Sequence, residues 1–394
     1  MKKRVALFGS TGSIGRSSLD VISRHKDRFA VVGLVAGKNL ELFAKQLLEW
    51  NPRYAVLKEE SDAQTLRTLM NGKWKGELAF GEEGMSCLAE NSEVDFVLSA
   101  IVGCAGLAPT YAAICAGKTV ALANKESLVA AGVVMMEACK KSGATLLPVD
   151  SEHSAIHQAL RAGTPAGSAP AGSTPRLKKI TLTASGGPFR NATKEEIAHA
   201  TIEQALKHPK WEMGNKITID SATMMNKGLE MIEARWLFDL KPNQIAVKIH
   251  PQSIIHSLVE FEDGSWLAQM GLPDMRTPIA YALAYPDRME SGVPPMDLTK
   301  VSPLTFEEPD EDRFPALRLA REALVQGESY PCVLNAANEI AVGAFLQKKI
   351  SFPQISSTVE KILQKHSPLK LNSLATVLEM DRWARETTKK ECSC

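Results

Sequence analysis

Two carboxylates separated by one hydroxyl residue follow a short apolar segment in the middle of the chain. Residues 144–149 have the composition of a buried strand, and Asp150, Ser151 and Glu152 come directly after it. Ligands of open α/β sheets gather outside the carboxyl ends of the strands. Carboxylate oxygens there suit a hard divalent cation, and Ser151 adds a hydroxyl donor. A helix N-cap followed by a first-turn acid would also explain this motif, so the rest of the chain has to decide.

A second polar cluster lies about 70 residues further along. Ser221, Asn226 and Lys227 have side chains that suit a phosphate or a polyol. Glu230 and Glu233 are three residues apart, which places them on one helix face. A solvated face explains Glu233 better than Glu230, because Glu230 lies one turn from the Asn-Lys pair.

Between these clusters, an anion-binding loop and a loop with large side chains are predicted. Ser185 and two glycines follow the predicted strand 179–184, which leaves backbone N–H groups and a hydroxyl available for an anion. Further on, Pro209 ends a helix, and His208 and Trp211 flank it. Such a loop either covers a ligand or packs onto the core, and composition favours neither. His250 and His256, in the predicted sheet beyond, are interpreted as structural.

The N-terminal segment predicts a dinucleotide-binding βαβ unit. Strand 4–8 enters the glycine-rich turn 9–15, a helix follows to about residue 24, and strand 29–36 comes next. The glycines let the backbone approach a pyrophosphate at a helix N-terminus. No acid follows the second strand to bind a ribose 2′-hydroxyl, and Lys38 and Asn39 stand there instead. A cation and an amide suit a 2′-phosphate, so NADPH is favoured over NADH. A solvated turn would not explain the missing acid.

The remaining pattern predicts an α/β chain with a Rossmann-like NADPH-binding domain, a central α+β catalytic domain with an open sheet, and a C-terminal helical bundle. The predicted boundaries are 1–150, 151–285, a linker at 286–312, and 313–394. Further strands are expected at 54–57, 94–100, 120–123, 216–219, 245–249, 255–261 and 265–270. Helices are expected after Glu126 as far as about residue 141, and at 275–285, 314–326, 333–348, 352–365 and 374–388. Residues 162–176 are low in complexity, and we expect a surface loop without chemistry there.

Composition excludes several classes of protein. The 394 residues carry a net charge of +1, which provides no electrostatic case for nucleic acid or an acidic membrane. No apolar run is long enough to span a bilayer, and the N-terminal apolar run is too short for a signal peptide. The seven cysteines include no C-x-x-C pair, which indicates reduced thiols and a cytosolic protein.

Taken together, the motifs closely resemble one family, 1-deoxy-D-xylulose 5-phosphate reductoisomerase of non-mevalonate isoprenoid biosynthesis. The resemblance covers essentially the whole chain, and the insert at 162–176 is the one departure. It is carried by residues 9–15 (GSTGSIG), 123–127 (ANKES), 148–153 (PVDSEH), 185–189 (SGGPF), 208–214 (HPKWEMG), 220–230 (DSATMMNKGLE) and 250–253 (HPQS).

The resemblance implies an NADPH-dependent, Mg²⁺- or Mn²⁺-dependent enzyme of the bacterial cytosol. Such an enzyme rearranges 1-deoxy-D-xylulose 5-phosphate to an aldehyde, by retro-aldol and aldol steps, and reduces it to 2-C-methyl-D-erythritol 4-phosphate. The family also implies a homodimer built on the central sheet, with a sugar phosphate as the small-molecule partner.

Site residues follow from the resemblance, together with the oxygen chemistry of the carboxylates. The expected metal ligands are Asp150, Glu152 and Glu230. The expected catalytic residues are Lys125, Glu152, His208 and Trp211. Substrate is expected on Lys125, Ser151, Glu152, Ser185, His208, Ser221, Asn226, Lys227 and Glu230. The cofactor is expected on Thr11, Gly12, Ser13, Ile14, Gly37, Lys38, Asn39, Asn124, Glu126, Gly214 and Met275. For Glu126, a plain helix-capping role is the competing interpretation.

Two other functions fit part of the sequence. An NADP-dependent dehydrogenase of another phosphorylated or semialdehyde substrate, without isomerisation, would share the first domain but not need three carboxylates and a phosphate cluster. A nucleotide-sensing protein without turnover would fit an intact glycine turn with a degraded metal site. Incubation with NADPH, Mg²⁺ and the ketose phosphate separates all three.

Overall fold

The computed structural model describes residues 1–162, 177–209, 211, 213–301 and 303–393. Most of the predicted loop at 162–176 therefore lies outside the described residues. Contacts divide the chain into two compact units. The first unit comprises Met1–Ser127, Met135–Asp150 and Met275–Val293, and the second comprises Leu128–Val134, Ser151–Asp274 and Pro294–Cys394.

The strands of the described residues are β1 (Lys3–Phe8), β2 (Phe29–Ala36), β3 (Tyr54–Leu57), β4 (Glu77–Phe80), β5 (Phe96–Ser99), β6 (Thr119–Leu122), β7 (Thr145–Pro148), β8 (Leu177–Ala184), β9 (Ile245–Ile249), β10 (Ile255–Phe261) and β11 (Trp266–Met270). The helices are α1 (Ser13–Ser23), α2 (Leu40–Trp50), α3 (Ala63–Met70), α4 (Gly81–Glu90), α5 (Leu107–Cys115), α6 (Lys125–Ser142), α7 (Ser151–Ala162), α8 (Lys194–Ala198), α9 (Ile202–Ala205), α10 (Asn215–Ala222), α11 (Met225–Leu237), α12 (Arg276–Ala284), α13 (Pro315–Gln326), α14 (Tyr330–Leu346), α15 (Phe352–Lys365) and α16 (Leu374–Glu391).

The first unit is built on a parallel sheet in the order β4-β3-β2-β1-β5-β6-β7. Its central strands are short. They are apolar because helices cover a parallel sheet on both faces. The strand order reverses between β1 and β5, and open α/β sheets bind ligands in the crevice at such a point. The predicted dinucleotide-binding architecture is therefore present.

The glycine-rich turn after β1 needs its glycines for steric reasons. Gly9 has a φ of +89°, and a Cβ there would lie 2.5 Å from the carbonyl oxygen of Ala100. At Gly15 a Cβ would lie 2.3 Å from the carbonyl oxygen of Gly9. The turn therefore packs tightly against itself and the end of β5, which leaves the N-terminus of α1 accessible to an anion.

Helix α12 belongs to the first unit, although the predicted boundaries placed it with the catalytic segment. Ile279 and Leu283 are buried in the apolar core of this unit. Lys3 Nζ donates to the carbonyl oxygen of Leu283 at 2.7 Å, and Arg276 lies 3.3 Å from Asp20. These partners are distant in sequence, so the local sequence pattern could not show that α12 packs against the first unit.

The second unit combines a four-stranded sheet with helices. The strand order is β11-β10-β8-β9, with β8 and β9 parallel and the other pairs antiparallel. The C-terminal helices share one apolar core with this sheet. Helices α11 and α13 approach so closely that a Cβ at Gly228 would lie 2.4 Å from the Ala320 side chain.

The predicted strand at 216–219 is wrong, because these residues form the first half of α10. The β-branched residues of this stretch favour a strand locally. Helical geometry instead brings Lys216 Nζ within 2.7 Å of Asp220 Oδ2, one turn away, and buries Thr218 and Ile219. Within the residues that the structure describes, no helix has the length and apolarity needed to cross a membrane.

Candidate active site

Asn124 lies at the carboxyl end of β6 and connects two segments of the first unit. Its Oδ1 accepts the N–H of Ser127 at 3.1 Å and so caps α6. Its Nδ2 donates to the carbonyl oxygen of Gly103 at 2.8 Å and also to that of Ile101. Asn124 therefore joins the loop after β5 to the helix after β6, which keeps these two strand ends together.

The next residue, Lys125, forms an ion pair with Asp150 at the end of β7. Their side chains are only 5% and 15% exposed, so the pair is largely shielded from water. Two residues predicted to contact metal and substrate thus lie together at the predicted sheet edge. Asp150 is the last residue of the first unit, and the chain passes directly into Ser151 and Glu152 of the second.

The predicted cofactor residues fall in both units. Gly12 is the N-cap residue of α1 and makes no side-chain cap, so the turn from Thr11 to Ile14 presents backbone at the helix start. Lys38 and Asn39 are exposed, and Asn39 Oδ1 caps α2 by accepting from the N–H of Leu42 at 3.1 Å.

The other predicted cofactor residues have more varied surroundings. Glu126 is buried in the first turn of α6, and Met275 packs against the core of the first unit. Gly214 lies in the second unit, where it is the N-cap residue of α10.

In the second unit, a continuous polar network joins α7 to α11. Lys227 Nζ lies 2.8 Å from Glu152 Oε1 and also pairs with Glu230. Asn226 Nδ2 donates to Glu230 Oε1 at 2.6 Å, and the Ser151 hydroxyl donates to Glu152 Oε2 at 2.6 Å. The structure therefore brings together five of the residues predicted to bind metal or substrate.

One buried ammonium group, that of Lys227, lies between the two carboxylates of this network. Burial by itself would lower the pKa of Lys227, but Glu152 and Glu230 outweigh that effect and raise the pKa above its usual value. Lys227 therefore stays charged, since the charged form is held by two carboxylates. The carboxylates of Glu152 and Glu230, which converge on the Lys227 ammonium, are hard oxygen donors of the kind that Mg²⁺ and Mn²⁺ prefer. The residues therefore fit such a metal ion.

His208 and Ser185 bring together the predicted anion-binding loop and the loop that carries Trp211. His208 Nε2 lies 3.0 Å from Ser185 Oγ, and His208 Nδ1 accepts the N–H of Trp211 at 2.9 Å. Burial lowers the pKa of His208 to about 4, so the ring is neutral at pH 7. Because Nδ1 accepts a hydrogen bond, the single proton resides on Nε2 and is donated to Ser185. Trp211 is half-buried.

A buried His-Glu pair lies beneath the network and was missed by the sequence interpretation. His153 Nδ1 lies 3.0 Å from Glu233 Oε2, and His153 Nε2 lies 2.9 Å from the carbonyl oxygen of Glu230. Glu233 is fully buried, so its prediction as part of a solvated face is wrong. The helical spacing of Glu230 and Glu233 was visible, but the partner of Glu233 lies 80 positions earlier.

The two histidines near the second sheet differ in their surroundings. His250 Nδ1 lies 2.9 Å from the carbonyl oxygen of Thr305, and its Nε2 accepts backbone N–H groups of Ile254 and Ile255, which confirms a structural role. His256 is buried, and burial lowers its pKa, while the charge of Glu152 acts in the opposite sense. His256 therefore lies within electrostatic range of the carboxylate network, which its sequence position did not indicate.

Three family models match the chain in succession. The model described as 1-deoxy-D-xylulose 5-phosphate reductoisomerase matches residues 5–132. Its C-terminal domain model matches residues 146–238, and a DXP reductoisomerase C-terminal domain model matches residues 270–387.

Curated relatives are similar over nearly the full length. The chain is 55% identical over 388 residues to the 1-deoxy-D-xylulose 5-phosphate reductoisomerase of Pelodictyon phaeoclathratiforme, covering 98% of this chain and 99% of the relative. It is 53% identical over 387 residues to the enzyme of that name from Chlorobaculum tepidum, with the same coverage.

Solved structures agree with this similarity. A DOX-P reductoisomerase in complex with NADPH, fosmidomycin and magnesium superposes with a TM-score of 0.93 at 43% identity, covering 99% of this chain and 98% of that one. The Zymomonas mobilis enzyme in complex with NADPH superposes with a TM-score of 0.90 at 46% identity, covering 100% and 99%. The predicted fold class is thereby confirmed. The chain belongs to the 1-deoxy-D-xylulose 5-phosphate reductoisomerase family.

Proposed function

We propose that this protein converts 1-deoxy-D-xylulose 5-phosphate to 2-C-methyl-D-erythritol 4-phosphate, with NADPH as reductant and Mg²⁺ or Mn²⁺ as essential cation. The single observation that carries the proposal is the network in which Glu152 and Glu230 converge on Lys227, beside Ser151 and Asn226. A dehydrogenase without isomerisation would need no such set of oxygen donors.

Asp150, Glu152 and Glu230 would hold the cation. Glu152 and Glu230 belong to the network described above, and Asp150 precedes Glu152 by two residues in the chain. When bound, the cation polarises the substrate's carbonyl and hydroxyl oxygens, and NADPH supplies the reducing equivalents. The set contains no thiolate or imidazole ligand, which suits Mg²⁺ and Mn²⁺ better than Zn²⁺.

The phosphate would be held by the loop and helix ends of the second unit. Ser185 and His208 already form a hydrogen-bonded pair, and the Nε2 proton that His208 now donates to Ser185 would be available to a phosphate oxygen. Ser221 and Asn226 would add a hydroxyl and an amide. Lys227 would contribute the positive charge, although in this structure its ammonium pairs with the carboxylates.

Three residues would orient the reacting carbons of the substrate and exclude water from them. Lys125 and Ser151 would contact the hydroxyl and carbonyl oxygens of the substrate, which fixes the geometry of bond breaking and bond making. Trp211 would cover the carbon chain and exclude water, which strengthens the polar contacts beneath it. Since Trp211 is held through its backbone by His208, one loop would serve both the phosphate and the carbon chain.

NADPH would bind along the first unit, with its pyrophosphate on the N-terminus of α1 and its 2′-phosphate near Lys38 and Asn39. The exposed position of both residues after β2 supports this assignment. Asn124, Glu126, Gly214 and Met275 complete the proposed cofactor set.

The protein would act in a bacterial cytosol. Its membership of a family of biosynthetic enzymes supports this location, and so does the lack of any disulfide among the described cysteines.

We further propose that the protein is a homodimer built on the sheet of the second unit. The edge strand β11 exposes Trp266, Leu267 and Met270, which are 50%, 36% and 37% accessible. An exposed edge strand with large apolar side chains is a template for pairing with another chain. Light scattering should give twice the chain mass, and Trp266→Glu should shift the protein towards the monomer.

The decisive experiment is turnover. The protein should oxidise NADPH only when 1-deoxy-D-xylulose 5-phosphate and Mg²⁺ are both present, and mass spectrometry should identify 2-C-methyl-D-erythritol 4-phosphate. EDTA should stop the reaction, and Mg²⁺ or Mn²⁺ should restore it. NADPH oxidation with a semialdehyde but not with the ketose phosphate would establish the dehydrogenase instead, and NADPH binding without any turnover would establish a sensor.

A further inference from the structure

Asp220 is a buried carboxylate that the proposed mechanism does not use. It is only 1% exposed and directly precedes Ser221, a residue proposed to bind the phosphate. Its Oδ1 accepts from Asn338 Nδ2 at 2.7 Å, and its Oδ2 lies 2.7 Å from Lys216 Nζ. Burying a carboxylate is costly unless charge and hydrogen bonds compensate it, so these two contacts decide how α10 is held.

The two partners of Asp220 act differently because they lie on different elements. Lys216 is on α10 itself, so its ion pair with Asp220 stays within that helix. Asn338 is on α14, 118 positions away in sequence, and it is fully buried. Its amide must present Nδ2 to the carboxylate, since the reverse orientation would set oxygen against oxygen. Asn338 therefore ties α10 to the C-terminal helices.

Helix α14 is itself anchored next to Asn338. The Glu339 carboxylate accepts from Asn335 Nδ2 at 3.0 Å and from Arg385 Nη2 of α16 at 2.7 Å. Arg385 Nε also donates to Asp381 at 2.6 Å. Glu339 thus holds α14 to α16, and the preceding residue of α14, Asn338, holds Asp220, the residue before Ser221.

The opposite side of α10 touches the anion-binding loop. Gly187 has a φ of +67°, and a Cβ there would lie 2.6 Å from the carbonyl oxygen of Ser221. The N–H of Gly187 donates to Ser185 Oγ at 3.2 Å. The end of α10 and the Ser185 loop are therefore in close contact, and a displacement of α10 would change the separation of Ser221 from Ser185.

We propose that Asp220 and Asn338 form a positioning pair that sets the place of Ser221 for phosphate binding. Neither residue contacts the substrate. The C-terminal helices act on the site through this pair, and its loss weakens binding of the sugar phosphate more than it slows the chemical step. The inference rests on the proposed phosphate role of Ser221.

The first test is Asn338→Ala, with Ser329→Ala as the matched control. Ser329 is the N-cap residue of α14 and is fully buried, and its hydroxyl bonds to His366 Nε2 at 2.7 Å and accepts the N–H of Leu369 at 2.8 Å, two partners that lie outside α10. Asn338→Ala should raise KM for the sugar phosphate about tenfold, because a small displacement of a binding group is costly. The kcat should stay within about twofold and Kd for NADPH should not change, the pattern of lost uniform binding. Ser329→Ala should destabilise the fold without raising KM, and equal KM values for the two variants would overturn the proposal.

A double-mutant cycle separates positioning from general weakening. Ser221→Ala alone should raise KM, and in that background Asn338→Ala should have little further effect, since its effect passes through Ser221. Additive increases in KM would overturn the positioning role. If Ser221→Ala leaves KM unchanged, the phosphate assignment is wrong and the positioning role falls with it. If Ser221→Ala raises KM but Asn338→Ala does not, only the positioning role is wrong.

A variant outside the C-terminal helices keeps the proposal testable if Asn338→Ala does not fold. Gly187→Ala would place a Cβ against the Ser221 carbonyl and so displace the end of α10 from the other side. It should raise KM for the sugar phosphate while Kd for NADPH stays constant. An unchanged KM in folded Gly187→Ala would overturn the dependence of binding on the position of α10.

Discussion

The imidazole of His153 lies 3.0 Å from a carboxylate oxygen of Glu233, and both side chains are completely buried. The same imidazole reaches the backbone carbonyl of Glu230 through its other nitrogen, at 2.9 Å. Helix α11 therefore presents Glu230 to the polar network and Glu233 to the core, one turn apart. The two carboxylates should respond to substitution in different ways.

Glu230→Gln should abolish activation by Mg²⁺, whereas Glu233→Gln should mainly lower stability. A glutamine at 233 replaces one oxygen of the buried carboxylate that contacts His153 by an amide, and we expect a loss of about 1–3 kcal/mol in unfolding free energy. Urea unfolding and Mg²⁺ titration of activity measure the two effects. Comparable loss of Mg²⁺ activation in folded Glu233→Gln would show that the metal-binding carboxylate has been misassigned.

Lys38→Ala should reduce selectivity for NADPH. Removing a cation from the proposed 2′-phosphate site should lower kcat/KM with NADPH about tenfold and leave the value with NADH unchanged. Lys45→Ala is the matched control, since Lys45 is an exposed lysine on α2, the helix that follows Lys38. Equal kcat/KM for both cofactors in the unmodified protein would contradict the assignment.

Stability should fall on acidification in part because of His157. Burial, with Arg161 nearby, lowers the pKa of His157 from 6.5 to about 4. Between these values the unfolded chain binds a proton that the folded protein does not, so unfolding becomes easier as pH falls. The contribution is complete above pH 6.5 and is lost towards pH 4, on the order of 3 kcal/mol.

His157→Gln should therefore make the unfolding free energy less dependent on pH between 7 and 4. Urea unfolding of the variant and the unmodified protein at several pH values measures this slope. His208, whose pKa burial also lowers to about 4, remains in both proteins, so only part of the slope should disappear. Identical slopes in the two proteins would refute the prediction.

Trp211 emission should change when the sugar phosphate binds in the presence of NADPH and Mg²⁺. The side chain is half-buried, so closer packing over the carbon chain should shift its emission. The difference spectrum between the unmodified protein and Trp211→Phe isolates this signal. Trp50→Phe, at the end of α2, is the control and should keep the ligand-induced change. A change that persists in Trp211→Phe would assign the signal elsewhere.

The strand–turn–helix order of the first unit and the local chemistry of its strand ends could be predicted from the sequence alone. Strands at 29–36, 54–57, 245–249 and 255–261 lie where they were predicted, because runs of apolar and β-branched residues bounded by turn residues carry that information locally. The glycine turn was also readable, since Gly9 and Gly15 occupy positions that a Cβ would block. The family motifs added the identity of the site.

Which buried polar groups contact each other is visible only in the folded structure. Residues 216–219 are helical rather than extended because Lys216 pairs with Asp220 and Asn338 completes that carboxylate from another helix. Glu233 is buried rather than solvated because His153, far away in sequence, provides its partner. In each case a polar group tolerates burial only when a residue distant in sequence compensates its charge or completes its hydrogen bonds. No local sequence pattern identifies that distant residue.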